Sequence, residues 1–146
     1  FSSLLEQKLA DNEANIMLAI IDIDNFKSVN DIYGHENGNV VLKKLAELLG
    51  LYCTSSGFPA RYGGEEFAVV FIETSVEKAK ESIELVRINL AECRFENMEQ
   101  CKIKFSCGLV KCRNELNPRQ IIEKSDEAMY KAKSTGKNKT VYLEYV

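Results

Sequence analysis

Apolar residues recur along this chain with two periods, and each change of period marks a new element. Leu4, Leu5 and Leu9 share one helical stripe over residues 1–12. The unbroken run Ile16-Met17-Leu18-Ala19-Ile20-Ile21 ends on Asp22 and predicts a buried strand over 16–22. A short helix follows over 25–33, stopped by Gly34. A longer one is expected over 38–53, with Val41, Leu42, Leu45, Leu48 and Leu49 at helical spacing. Residues 58–62 and 67–72 form two strands around Gly63-Gly64. Ser75 caps a helix running to about Cys93, and residues 96–100 make a surface loop. Ile103, Phe105, Cys107 and Leu109 alternate in a strand over 103–111. Pro118 opens a last helix that Gly136 ends, and 141–145 is a closing strand.

From the first strand on, the order is β-α-α-β-β-α-β-α-β. It predicts an α+β fold: a two-layer α/β sandwich close to the split βαβ, ferredoxin-like layout, with an added strand in a mostly antiparallel sheet. At 146 residues, 1–146 suits a single domain with one core. There is no internal repeat, low-complexity tract or linker-like stretch.

Composition narrows the function classes. No apolar run approaches the roughly 20 residues of a membrane span, and no signal peptide opens the chain. A net charge of -3 argues against nucleic-acid binding through a broad basic field. It still permits a nucleotide, because a divalent cation offsets carboxylate and phosphate charge locally. The five cysteines, Cys53, Cys93, Cys101, Cys107 and Cys112, include no CxxC pair, and His35 is the one histidine. Reduced thiols packed as small hydrophobes fit this better than zinc or redox chemistry.

Two acidic segments carry the candidate chemistry. Arg61-Tyr62-Gly63-Gly64-Glu65-Glu66-Phe67 reads as a hairpin, with positive φ expected at the glycines. Strand alternation should send Glu65 and Glu66 to opposite faces. Taken alone the run is equally an ordinary polar turn and an acidic tip able to hold a divalent cation with a phosphate ligand. The second segment, Asp22-Ile23-Asp24-Asn25-Phe26-Lys27-Ser28-Val29-Asn30-Asp31, places carboxylates at a buried strand end just before a helix start, where metal and phosphate chemistry is often located. Asp24 is expected to face solvent as a helix cap, and Phe26 to be core.

Together with Gly34-His35-Glu36-Asn37-Gly38-Asn39 and the stretch Tyr130-Lys131-Ala132-Lys133-Ser134-Thr135-Gly136-Lys137-Asn138, these segments resemble the GGDEF family, the diguanylate cyclases. The FKxxND, GHxxGD, GG(D/E)EF and YxAKxxGRN patterns follow in order over nearly the whole chain. The resemblance implies a palm-like sheet and the condensation of two GTP molecules into cyclic di-GMP with loss of pyrophosphate. It also implies two Mg²⁺ or Mn²⁺ ions per site and a homodimer in which each domain presents one GTP to the other. The expected setting is cytoplasmic, in a domain that touches neither membrane nor nucleic acid itself. An LTGLxNR-like segment common at the start of the family is absent, so the chain is expected to be the C-terminal piece of a longer sensor protein.

The resemblance assigns roles residue by residue. Asp22, the Ile23 carbonyl and Glu65 would hold metal. Glu65 would also accept the 3′-hydroxyl proton, and Lys27 would offset transition-state charge. Glu66 matches an acidic position whose part is catalytic or structural. Asn25 and Phe26 would present backbone N–H groups to the β- and γ-phosphates, and Lys133 and Lys137 would bind phosphate. Asn30 and Asn39 would read guanine.

Three departures stand out. Lys137 replaces an arginine, keeping the charge but losing the bidentate fork. Asn39 replaces an aspartate; it offers one acceptor and one NH₂ donor where guanine presents two donors, which weakens guanine binding or admits adenine. An RxxD product-inhibition motif would fall on Thr54-Ser55-Ser56-Gly57, where neither charge is present. The leading expectation is an active cyclase. A catalytically weak GTP-binding regulatory module and a cyclase giving cyclic GMP-AMP are the alternatives.

Overall fold

The computed structural model describes residues 2–11, 15–112 and 117–144. Its elements are α1 (Ser2–Ala10), β1 (Met17–Ile23), α2 (Phe26–Tyr33), α3 (His35–Tyr52), β2 (Gly57–Arg61), β3 (Glu66–Phe71), α4 (Val76–Glu92), β4 (Phe105–Lys111), α5 (Pro118–Ser134) and β5 (Thr140–Glu144). Phe1, Asn12 and Tyr145, the outer limits of two expected elements, lie outside the described residues.

The five strands form one sheet in the order β2-β3-β1-β4-β5. Three of its pairings are antiparallel, and β4 with β5 is parallel. The α+β, mostly antiparallel expectation therefore holds. β1 is the central strand and is buried on both faces, which is why its sequence is continuously apolar rather than alternating. Its odd positions, Met17, Ala19, Ile21 and Ile23, enter a large core with α2, α3 and α4. Leu18 and Ile20 enter a smaller core with Leu5 of α1 and Ile121 of α5.

Helix α5 lies directly on β4. A Cβ on Gly108 would sit 2.1 Å from the Ser125 carbonyl oxygen and 2.4 Å from the Met129 amide nitrogen. Only glycine permits that approach. The Ser125 hydroxyl donates to the Gly108 carbonyl at 2.8 Å. At its start, α5 has a capping box between Asn117 and Gln120 around Pro118, a signal present in the sequence beyond the proline alone.

Several local expectations change. α3 starts at His35, not at residue 38: Gly34, at φ 88°, breaks the chain between α2 and α3, and the Gly38 amide already bonds the Gly34 carbonyl. The two hairpin glycines do not take positive φ; among the described glycines only Gly34 and Gly136 do so. The turn is instead latched by Arg61, whose guanidinium donates to the carbonyls of Gly63 at 3.1 Å and Gly64 at 2.6 Å. β4 begins at Phe105, two residues later than expected. Segment 96–100 is not wholly a surface loop, because Met98 is buried in the large core beside Phe95 and Ile103. The five thiols are free, and burial pushes those of Cys53, Cys107 and Cys112 up to about 12. Those three are inert as nucleophiles at neutral pH.

Candidate functional site

The site forms where β1 runs out. Cross-strand pairing sets Glu66 of β3 on one side of Asp22 and Ser106 of β4 on the other. Glu65, in the turn just before β3, shares a side-chain hydrogen bond with Asp22. It lies outside the strand, so alternation does not govern it, and both glutamates bear on Asp22 rather than parting to opposite faces. Lys133, from the last turn of α5, reaches the same place. Its Nζ lies 3.4 Å from the Asp22 carboxylate, 2.9 Å from that of Asp24, and 3.4 and 3.3 Å from the carbonyl oxygens of Asp22 and Ile23.

Asp24 is a correction. It is buried, not a solvent-facing cap, and Asn25 stands at the cap position of α2. One Asp24 oxygen accepts from the Ser106 hydroxyl at 2.6 Å and from Lys133. The other accepts from the Asn138 amide at 2.8 Å. A buried carboxylate survives when it is fully bonded in this way. Asp24 thereby ties β1 to β4 and to the turn after α5. Asp24 lies just past the end of β1, so its burial follows from these distant partners rather than from strand alternation; nothing in the sequence marked Ser106.

The Asp22 carboxyl is different. Its Oδ1 is buried and has no hydrogen-bond partner. Burial pushes its pKa up, against the opposing pull of Lys133. Glu65 is pushed up by burial and then by the charge of Asp22; Glu66 is pushed up by burial, by Asp22 and by Asp126 of α5. The cluster is short of positive charge.

The start of α2 adds donors. Asn25 is left-handed, at φ 57°, and its side chain makes no capping bond. The first amides of α2 therefore have no partner within the helix. The Asn25 side-chain oxygen accepts from Lys137 Nζ at 2.8 Å. Phe26 is buried in the core and Lys27 is exposed on the first turn.

Further along, Asn30 and Asn39 flank Gly38. Asn30 Oδ1 is buried without a partner, and a Cβ on Gly38 would lie 1.9 Å from it. Gly38 thus makes room for the Asn30 amide, a role its sequence position did not announce. Asn39 is exposed and lines a cavity of about 720 Å³ between α3 and the hairpin, with Leu42, Pro59, Arg61 and Phe67. At the position expected for an inhibitory aspartate, a Cβ on Gly57 would lie 2.4 Å from the Cys53 carbonyl oxygen, so the fold here leaves no room for a side chain.

The donor set fits a hard divalent ion. Asp22 supplies an unbonded buried oxygen, Glu65 a second carboxylate and Ile23 a carbonyl. Among the described residues no three Asp, Glu, His or Cys side chains group so as to hold a metal unaided. A two-carboxylate site completed by a carbonyl and by ligand oxygens needs no third one, as is usual for Mg²⁺ beside phosphates.

Comparison with known proteins agrees with this geometry. The family model described as "Diguanylate cyclase, GGDEF domain" matches residues 1–139. The probable diguanylate cyclase DgcT of Escherichia coli (strain K12) is 36% identical over 150 residues, covering 100% of this chain and 33% of that protein. The chain thus spans about a third of that relative's length. The GGDEF domain of DgcB from Caulobacter crescentus, solved in complex with c-di-GMP, superposes with a TM-score of 0.91 at 30% identity, covering 97% of this chain and 87% of that one. The active GGEEF domain of a diguanylate cyclase from Vibrio cholerae gives a TM-score of 0.85 at 32% identity, covering 99% and 92%. Among the described residues no helix is long and apolar enough to cross a membrane. By fold, sequence and motif order, this chain belongs to the GGDEF family of diguanylate cyclase domains.

Proposed function

We propose that this domain is an active diguanylate cyclase, condensing two GTP into cyclic di-GMP and two pyrophosphates. The observation that carries the reading is the convergence of Asp22 and Glu65 beside the open amides of α2, with Asp22 Oδ1 left without a partner in a buried acidic cluster. Asp22, the Ile23 carbonyl and Glu65 would hold divalent metal. Bound Mg²⁺ or Mn²⁺ supplies charge neutralisation on the phosphoryl oxygens.

The amides of Asn25, Phe26 and Lys27, with Lys133 and Lys137, grip the triphosphate. Asn30, held in the space left by Gly38, and Asn39 meet the base. Each 3′-hydroxyl attacks the α-phosphate of the other nucleotide; its proton passes to Glu65, and pyrophosphate leaves. A divalent ion bound to Glu65 would lower its pKa and keep it ionised, so it acts as a modest base. Lys27 offsets the charge that develops. One domain presents one nucleotide, so turnover requires a dimer of domains. In a longer parent protein, upstream sensory domains would set how often they meet. With Thr54 and Gly57 in place of the charged pair, product does not shut the enzyme down through that site.

The test is turnover of the concentrated domain with Mg²⁺ or Mn²⁺ and GTP, ATP or both, with products resolved by mass. Cyclic di-GMP from GTP, lost in Glu65→Gln, is the expected result. GTP binding without product, even in a forced dimer, would leave a regulatory module instead. A specific observation, Asn39 at the base-reading position, favours a second reading: relaxed specificity, with cyclic GMP-AMP formed from mixed nucleotides.

A further inference from the structure

Lys133 is half-buried at the strand end and held from four sides. Its ammonium contacts the carboxylates of Asp22 and Asp24 and the carbonyls of Asp22 and Ile23. Two of these groups, the Asp22 carboxylate and the Ile23 carbonyl, are those the proposed function gives to a divalent ion. Mg²⁺ sits about 2.0–2.1 Å from its oxygens. An ion at that distance from Asp22 Oδ1 and the Ile23 carbonyl would press against an ammonium 3.3 Å from that same carbonyl and 3.4 Å from the other Asp22 oxygen, Oδ2. Repulsion between cations at such range, in a partly desolvated site, forbids both from staying. The lysine stem is flexible, so its head can leave when another anion is offered.

We propose that Lys133 is a tethered cation that occupies the metal position and yields it when a triphosphate arrives. The inference rests on the cyclase reading for the identity of the metal ligands. Phosphate oxygens compensate the displaced ammonium, so metal and nucleotide each tighten the binding of the other. The bare site then takes free divalent metal poorly, and the acidic cluster is not left uncompensated between turnovers. Asp24 keeps its Ser106 and Asn138 bonds when the ammonium moves, so the strand end stays in place.

The test is Mn²⁺ binding to the whole chain, followed by electron paramagnetic resonance without turnover. Without nucleotide, Lys133→Met is expected to bind Mn²⁺ about tenfold more tightly than the unchanged protein. Lys133→Arg keeps the charge and should stay within about twofold of it. Adding 3′-deoxy-GTP, which cannot react, should tighten Mn²⁺ binding strongly in the unchanged protein and much less in Lys133→Met. Equal or weaker Mn²⁺ binding by a folded Lys133→Met overturns the proposal.

Should that variant fail to fold, the lysine ammonium resonance of the unchanged protein decides. It should shift fully when Mg²⁺ and 3′-deoxy-GTP are added together, and little with the same Mg²⁺ alone. A full shift with Mg²⁺ alone overturns the proposal. The two readings fail separately. Tighter Mn²⁺ binding without any cyclic di-GMP from the turnover assay removes the cyclase and leaves the tethered cation. Cyclic di-GMP with no gain in Mn²⁺ binding does the reverse.

Discussion

The two faces of β1 end differently. On one, Met17, Ala19, Ile21 and Ile23 stay apolar to the last residue and remain inside the large core. On the other, Leu18 and Ile20 give way to Asp22, and two residues later to Asp24, where α5 delivers Lys133. One strand therefore packs into a core on both sides and carries chemistry only at the tip of the second. The packed body of the strand holds that tip still. Within the charged side a second contrast appears: Asp24 has its bonds filled, whereas Asp22 keeps an oxygen free.

Substitutions on either face should separate these duties. The largest effect is expected from Glu65→Gln. Cyclic di-GMP formation should fall by about 10²–10³-fold or more, with a melting temperature equal to or above that of the unchanged protein. A large loss of stability would mean that the charged face also holds up the fold. Next comes Ile21→Ala, on the opposite face. Deleting this fully buried side chain should cost about 2–5 kcal/mol in a denaturant titration. Any surviving folded fraction should keep its nucleotide affinity.

Asn39→Asp tests how far α3, which anchors the apolar layer, also reads the base. Preference for GTP over ATP in competition binding should rise about tenfold, the worth of one restored hydrogen bond. No change would detach Asn39 from the base.

The smallest effect concerns pH. The folded pKa values of Asp22, Glu65 and Glu66 lie above their usual values. The folded metal-free protein thus binds more protons than the unfolded chain just above the ordinary carboxylate range. The cluster's stability contribution is present below the unfolded pKa and lost as pH rises through the folded ones. Without metal, mild acidification should raise the melting temperature slightly, and Glu65→Gln should flatten that slope. Identical slopes would place the titration elsewhere.

Much of this was legible in the sequence because the signals were local. The continuous run from Ile16 to Ile21 can only be a strand covered on both sides, and Asp22 closes it. The helical stripe of Val41, Leu42, Leu45, Leu48 and Leu49 is equally plain. The motifs that carry the family resemblance lie on contiguous residues, so they survive without coordinates. What escaped depended on distant partners. Asp24 read as a cap because Ser106 and Asn138, far along the chain, supply its bonds. Positive φ was expected at Gly63 and Gly64, where the Arg61 guanidinium latches the turn instead. Met98 lies in a polar stretch and still reaches the core, since a single anchor leaves no periodicity to detect.

The contact between Gly108 and Ser125 has a consequence beyond packing. It acts as a datum from which position is measured along α5. From Ser125 to Lys133 the helix advances eight residues, about 12 Å at its fixed rise. That span delivers the ammonium to the end of β1 and no further. The helix works as a gauge rod, with its zero at the missing methyl of Gly108. A side chain there would reset the zero and carry the lysine off its mark, although nothing at the strand end had been altered.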